Sequence, residues 1–245
     1  MEVKVKAENI TIVLKGPKYS GNIGSVARCA KNMGIEKIIV VGGQFLSMAE
    51  MKQMSTHFAA DLIDQIEYFE NLGDALAGFE FVVGTTARMG SVRGPVVAPR
   101  EMAASLIDLS RNNRVALLFG PEDTGLSNED LRRCHGLVTI PTSQRLKSIN
   151  LSHAVMILCY ELFTAEQGKV AAYTPRLAAV AEIEGMYEQL KALLQKIGFL
   201  NPQNPEYWML QIRRFFSRTG LFSRDVKIIR GICRQLDWYL EHKSS

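Results

Sequence analysis

Only four cysteines occur in 245 residues (Cys29, Cys134, Cys159 and Cys233), and no two of them are close in sequence. Without a C-x-x-C spacing there is no sign of a zinc ribbon or a redox motif. Scattered single thiols also fit a reducing compartment better than a disulfide framework. The four histidines are equally dispersed, so the residues predict no metal site. Long hydrophobic runs are missing too: none approaches the roughly 18 apolar residues of a membrane span. The opening residues, MEVKVKAENI, carry charge where a secretory leader needs an apolar core. A cytoplasmic protein with no membrane partner is the expectation. The turn after the first apolar run, GPKYSGNIGS, lacks G-x-G-x-x-G, and Val41 is followed by Gly42-Gly43 rather than an acid. A nucleotide-cofactor oxidoreductase on a Rossmann sheet is therefore a poor fit.

Neither sign of charge dominates residues 1–169, which hold 18 Lys and Arg against 18 Asp and Glu. Residues 170–245 hold 11 against 7, and so carry the whole surplus of +4. Between Pro205 and Arg234, seven basic residues stand against Glu206 and Asp225 alone. Such a confined surplus implies either a polyanionic partner or a solvated helical face.

What the chain does have is alternation. Runs rich in Val and Ile fall at Ile10 to Leu14, Ile38 to Val41, Phe81 to Gly84, Val115 to Phe119 and Leu137 to Ile140. Helix-length segments separate them. The pattern predicts an α/β domain, a Rossmann-like buried parallel sheet with helices on both faces. The first helix is expected to start at an Asn22 cap and to stop at Gly34. Ile23, Val26, Ala27, Ala30 and Met33 share one side of it, which puts Arg28 about 165° from the centre of the apolar stripe. A second helix is expected over Asn150 to Glu166.

Gly168 to Pro175 then reads as a linker, dividing a domain of residues 1–168 from an extension of residues 169–245. In the extension, an amphipathic helix runs from Leu177 to Ile197 and ends at Gly198. Asn204-Pro205 opens the next helix, and Ser223 caps the last. A bundle this small is expected to pack on the main domain or on a second subunit.

Two of the strands run directly into polar loops, one holding Gly120, Glu122 and Gly125, the other Ser148 and Asn150. Loops at the carboxyl ends of strands are where open α/β sheets place ligands. Together with Gly21-Asn22-Ile23-Gly24 and Arg28, they form a three-part pattern. Its parts are Gly21 to Arg28, then Phe119-Gly120-Pro121-Glu122 with Gly125-Leu126-Ser127, then Ile140-Pro141 with Ser148-Ile149-Asn150-Leu151. This resembles, in order and spacing, the three motifs of the SpoU class of RNA ribose 2′-O-methyltransferases, members of the SPOUT superfamily. The helical extension resembles that of the TrmJ branch, which methylates tRNA at position 32 of the anticodon loop.

The resemblance implies an α/β domain whose C-terminal part forms a trefoil knot, S-adenosylmethionine held in the knotted loops, and a homodimer. Composition and periodicity show no knot, and general chain topology argues against one. The chemistry implied needs no metal, because the sulfonium methyl is already activated. The protein must align the ribose 2′-hydroxyl and stabilise charge developing on its oxygen. Arg28 can hold the target phosphate by a forked contact and place positive charge beside the hydroxyl. The class's usual proposal makes this arginine the general base. A guanidinium does not readily release its proton, so orientation and charge stabilisation fit better unless a phosphate relays the proton.

Asn22 would hold the loop or the ribose, and Ser148 and Asn150 would bond substrate or cofactor. Glu122 would fix Arg28 or assist departure of the proton. The plainer readings are that Asn22, Ser148 and Asn150 are helix caps, that the glycines serve turns, and that Arg28 is a surface arginine. By the same resemblance, cofactor contacts fall to Thr85, Thr86, Ala87, Gly120, Ile140, Ser148 and Ile149. Glycine gives close backbone approach, and the two isoleucines enclose the adenine.

For RNA, Lys18, Arg88, Arg93, Arg145 and Lys147 sit in loops expected to flank the site. Arg213, Arg214 and Arg218 stand beside Phe215, Phe216 and Phe222, a mixture that can grip phosphates and stack on bases. The plainer reading puts Phe215 and Phe222 in the bundle core or a dimer interface. The expected partner is tRNA; ribosomal RNA, another tRNA position, or an RNA-binding protein without catalysis are the alternatives.

Overall fold

In the computed structural model, the residues described are 3–43, 46–87, 96–146, 148–167, 176–201, 203–217 and 220–243. The chain divides into two compact units, Met1–Thr174 and Pro175–Ser245. The expected linker, Gly168 to Pro175, lies outside the described residues.

The first unit contains the strands β1 (Val3–Lys4), β2 (Ile10–Lys15), β3 (Ile38–Val41), β4 (Glu67–Phe69), β5 (Phe81–Thr85), β6 (Val96–Val97), β7 (Val115–Phe119), β8 (Gly136–Val138) and β9 (Glu166–Gln167). Its helices are α1 (Ser20–Asn32), α2 (Met48–Ser55), α3 (Ala60–Asp64), α4 (Leu72–Leu76), α5 (Pro99–Asn112), α6 (Asn128–Arg132) and α7 (Leu151–Thr164). Seven strands form a sheet in the order β4-β3-β2-β7-β5-β8-β6, and every pairing in it is parallel. β1 and β9 make a separate two-residue antiparallel pair.

Both faces of the sheet are buried, as continuous Val/Ile/Leu strands require. Ile10, Ile12, Leu14, Leu117 and Phe119 join one core with α1, α5 and α7. On the other face Val13, Val41, Val82, Ala116 and Leu118 are also buried.

Two edges of the sequence reading change. The strand expected to reach Ile140 stops at Val138, because Pro141 has no N–H to continue a ladder and pushes Ile140 towards extended coil. The short strands β4 and β6 carry too few residues for a period of two to register.

α1 also begins earlier than expected. Its N-cap position is Tyr19, which makes no side-chain cap bond, and Asn22 lies inside the first turn. Its other end behaves as expected, with Gly34 in a left-handed conformation at φ +72°. Gly24 is needed for a different reason: a Cβ there would sit 2.2 Å from the carbonyl oxygen of Met51. Only glycine lets α2 cross α1 so closely.

Half-buried His135 completes the pairing of β8 with β5. Its Nδ1 accepts the N–H of Val82 at 3.0 Å, its main-chain N–H donates to the Val82 carbonyl at 2.8 Å, and its ring stacks on Phe81. Burial lowers its pKa to about 4, so at neutral pH the ring is the neutral acceptor this bond requires.

Thr56, after α2, is the one non-glycine residue with positive φ among the described residues, at φ 58° and ψ 175°. That region is close to glycine-only and costs a side-chain-bearing residue roughly 1–3 kcal/mol. Its buried hydroxyl also lacks a hydrogen-bond partner. Thr56→Gly relieves both, against about 0.5–1 kcal/mol of added unfolded-chain entropy. The expected result is a thermal midpoint raised by about 2–4 °C; calorimetry giving a lower midpoint would show that no strain is stored there.

The second unit holds α8 (Val180–Lys196), α9 (Pro205–Phe216) and α10 (Ser223–Lys243). Ala178, Met186, Tyr187, Leu200, Met209 and Val226 make its core. α8 starts later than the apolar spacing implies, because Leu177 bridges Phe222 and the Ala178 N–H donates to the Leu221 carbonyl. The Asn204 side chain caps α9 by accepting the Tyr207 N–H, with Pro205 at the first helical position. Ser223 is the first residue of α10 rather than its cap, and its hydroxyl donates to Glu182 at 2.9 Å. Phe215 and Phe222 do not fill the core: Phe215 is 67% exposed and Phe222 37%. Phe216 packs there instead, beside Tyr187.

Candidate active site

Three loops far apart in sequence are joined by side-chain hydrogen bonds. Asn22, in the first turn of α1, donates from Nδ2 to Glu122 Oε1 at 2.8 Å. Its Oδ1 accepts from Asn150 Nδ2 at 3.1 Å. Asn150 Oδ1 accepts the backbone N–H of Ser152 at 2.9 Å and its hydroxyl at 2.7 Å, capping α7. The second oxygen of Glu122 accepts the Lys18 N–H at 3.1 Å. A carboxylate can only accept, so the orientation of the Asn22 amide follows from its neighbour. The structure therefore gives Asn22 a bridging contact in place of the expected cap, and gives Asn150 both a cap and the bridge.

Arg28 is exposed on α1, where the helical spacing puts it. Its side chain forms no hydrogen bond or ion pair among the described residues, which leaves its fork of donors open to a ligand. The next residue, Cys29, has its thiol 3.6 Å from the Ser152 carbonyl. This turn of α1 is thereby held beside the first turn of α7, whose cap is Asn150. Glu122 contacts Asn22 and Lys18, not Arg28, so its contacts differ from the sequence expectation.

The strand ends form the second part of the site. Gly84 pairs with Leu118 on one side and Leu137 on the other, and Thr85 pairs with Val138. The carboxyl ends of β7, β5 and β8 thus finish at one level. The Thr85 hydroxyl donates to the Leu118 carbonyl at 3.1 Å, and the Thr86 N–H to the Val138 carbonyl at 2.9 Å. Gly120 tolerates no side chain, since a Cβ would lie 2.3 Å from the Leu126 nitrogen where the loop folds back. Ile140 and Ile149 are half-buried, while Ala87 and Ser148 are exposed.

A cavity of about 420 Å³ lies elsewhere on the carboxyl edge, lined by Lys15, Gly42, Asn71, Gly73, Asp130 and Arg133 among others. Its cations are already paired, Lys15 with Asp130 at 2.6 Å and Arg133 with Glu129 at 3.7 Å. Asp130 also accepts from the Ser127 hydroxyl and N–H. The cavity reads as structural packing, and the candidate site lies with the three joined loops. No cluster of three or more His, Cys, Asp or Glu among the described residues is placed to hold a metal.

The expected RNA contacts divide. Arg88, Arg93, Lys147 and Arg218 lie outside the described residues. Arg145 is exposed in the loop before α7. Lys18 pairs through its ammonium with Asp123, so with its N–H on Glu122 it ties the first motif to the second. Arg213 is committed within the tail: both terminal nitrogens donate to Glu184 at 2.7 Å, and its guanidinium carbon lies 4.3 Å from the Tyr187 ring centre. Arg214, the next residue, is half-buried.

Arg213→Lys keeps the charge and loses the fork, so it is expected to destabilise the helical unit by about 1–2 kcal/mol. Denaturation followed by circular dichroism checks this, and an unchanged transition would remove Arg213 from the bundle's support. The sequence reading missed Ser152 and the Lys18 backbone. A serine two residues after an asparagine cap is a weak signal, and a main-chain donor gives none.

The class these features define is confirmed by comparison: the chain belongs to the SpoU rRNA Methylase family, which matches residues 9–160. Residues 181–245 match the C-terminal domain of the tRNA methyltransferase TrmJ. The chain is 34% identical over 238 residues to the tRNA (cytidine/uridine/adenosine-2′-O-)-methyltransferase TrmJ of Pseudomonas aeruginosa, covering 92% of each. It is 36% identical to the tRNA (cytidine/uridine-2′-O-)-methyltransferase TrmJ of Sodalis glossinidius, covering 94% of this chain and 91% of that one. The crystal structure of TrmJ from Z. mobilis ZM4 superposes with a TM-score of 0.79 at 25% identity, covering 93% of this chain and 98% of that one.

Proposed function

We propose that this chain methylates the ribose 2′-hydroxyl of a pyrimidine nucleotide in tRNA, at position 32 of the anticodon loop, using S-adenosylmethionine. The observation that carries the reading is the bonded series Asn150–Asn22–Glu122–Lys18, which brings three motif loops together beside an open arginine. The TrmJ names of the relatives supply the substrate class, and the adenosine in one of them leaves the accepted base as a question for assay.

The aligned ends of β5, β7 and β8 fit an adenosyl group. Backbone N–H and C=O groups lie there with the half-buried Ile140, and Gly120 lets the loop fold back without a side chain. Thr85, Thr86, Ala87, Gly120, Ile140, Ser148 and Ile149 would hold it, with the segment after β8 in the trefoil knot characteristic of the family. When bound, S-adenosylmethionine supplies a methyl carbon already activated by its sulfonium charge.

The residues then have a positioning task. Arg28 holds the target phosphate and lowers the energy of negative charge growing on the 2′ oxygen. The Asn22 bridge fixes the first turn of α1, the helix from which Arg28 projects, while Asn150 fixes the loop that carries Ser148 and Ile149.

A homodimer is part of the reading. α7 buries Val155, Leu158 and Leu162, yet its outer side carries Tyr160 at 51% and Phe163 at 59% exposure. A helix apolar on both sides is expected to be covered in the assembly, here by a second copy.

The test is to offer tRNA and ribosomal RNA as acceptors with methyl-labelled cofactor. Label entering tRNA alone supports the reading; label entering ribosomal RNA alone would reassign the substrate. Sedimentation giving a monomer at working concentration would remove the dimer.

A further inference from the structure

The tail helix α10 uses only one side for its own unit. Val226 and Cys233 are buried, Arg230 donates to Gln189 of α8 at 3.2 Å, and Lys196 of α8 bonds Asp237 and Glu241. At 100° per residue, Arg224, Lys227, Gly231, Arg234 and Trp238 fall in a single band on the other side. All but half-buried Gly231 are exposed.

Charge in this band is one-sided. The side chains of Arg224 and Arg234 form no hydrogen bond or ion pair among the described residues, and Lys227 forms none either, although Glu182 of α8 lies within its electrostatic reach. The acids of α10 are engaged: Asp225 accepts the Phe222 N–H, and Asp237 and Glu241 hold Lys196. From Arg224 to Arg234 the band spans about 15 Å along the helix, and it ends at Trp238, which is 53% exposed with its ring stacked on His242.

Gly231 sits at the middle of this band. Glycine inside a helix costs roughly 0.8–1 kcal/mol relative to alanine. Yet a Cβ at this position would meet nothing within 4 Å. No contact among the described residues explains the missing side chain, whereas close approach by something outside the chain would.

We propose that this band is where the sugar-phosphate backbone of the RNA lies against the tail, with the bare backbone at Gly231 as the point of closest approach. Three exposed cations, two of them with no acidic partner among the described residues, match a polyanion, whereas a second copy would bring the same positive band and be repelled. Trp238 offers a ring on which an unpaired base can stack. The inference rests on the RNA methyl-transfer reading above, and it assigns the docking to α10 rather than to Arg213 on α9.

The test uses the full chain, a tRNA transcript and fluorescence anisotropy at several salt concentrations. Gly231→Leu adds bulk in open space with a better helix former and leaves charge unchanged. It should weaken tRNA binding at least tenfold, while thermal midpoint and cofactor affinity hold or rise and the salt slope stays the same. The double variant Lys227→Gln/Arg234→Gln should lower the salt slope by about 1.5–2, the contribution of two phosphate contacts.

Wild-type tRNA affinity in Gly231→Leu would overturn the proposal. So would a changed oligomeric state with RNA affinity intact, which would make a second copy the occupant. Loss of binding to anionic phospholipid vesicles, with tRNA binding unaffected, would likewise give the band to a membrane surface. A wild-type chain that binds no RNA ends the methyl-transfer reading and this inference together, a result distinct from the others.

Discussion

Arg28→Ala is expected to lower kcat for methyl transfer by on the order of 10²–10³-fold or more, while affinity for S-adenosylmethionine stays within a few fold. The asymmetry follows from position. Of the cofactor contacts proposed above, Thr85, Thr86, Ala87, Gly120 and Ile140 follow the ends of β5, β7 and β8, whereas Arg28 projects from the exposed side of α1 with no side-chain partner among the described residues. In the role proposed for it, Arg28 acts on charge that exists mainly in the transition state, so its loss should appear in kcat more than in binding. Arg28→Lys separates the two functions proposed for it: a point charge remains, but the planar fork for a phosphate is lost. Single-turnover rates and calorimetric cofactor titration check the expectation. Near-normal turnover in the alanine variant would remove the role assigned to Arg28.

Glu122→Ala is expected to have the next largest effect, a fall of about 10–100-fold in kcat/KM. Both carboxylate oxygens accept a hydrogen bond, from the Asn22 amide and from the Lys18 main chain. Removing the side chain leaves both donors unpaired, at about 1–3 kcal/mol for each that water cannot reach. It also frees α1's first turn from the second motif. Glu122→Gln distinguishes positioning from proton transfer. The amide retains one acceptor oxygen, so a positioning role predicts an intermediate loss with an unchanged pH–rate profile. If Glu122 carried the proton, the glutamine variant would match the alanine one and a limb of the profile would vanish.

Much of this architecture is written plainly in the residues, and the exceptions share a cause. The strands β2, β3 and β7 are buried on both faces, so each reads as an unbroken apolar run at the correct bounds or within a residue of them. β4 and β6 are too short to show a period. β8 ends at Val138 rather than Ile140 because Pro141, the residue after the expected end, stops the ladder. The apolar spacing of α1 placed Arg28 correctly, but the same helix hid its own start: asparagine is a good cap, and nothing local shows that Asn22 instead faces a carboxylate 100 residues away.

That is the general limit at this site. Residue type and motif order identified Asn22, Glu122 and Asn150, but their mutual bonding depends on which strand ends are neighbours in the sheet, and the order β2-β7-β5-β8 is not a local property. In the tail, charge counting found the basic segment but not the commitments within it. Arg213 is taken up by Glu184 and Tyr187, while a Cβ at Gly231, which carries no charge at all, would meet nothing within 4 Å.

The measurement that bears most directly on the whole account is the location of the methyl group. tRNA treated with the enzyme and labelled cofactor is hydrolysed with alkali, which cannot cleave beside a methylated 2′ oxygen, and the resistant dinucleotide is sequenced. Label in one such dinucleotide beginning at nucleotide 32, absent with Arg28→Ala, is the expected result. Label on a base, or in alkali-sensitive products only, would show that the three joined loops do not direct a methyl group to a sugar oxygen.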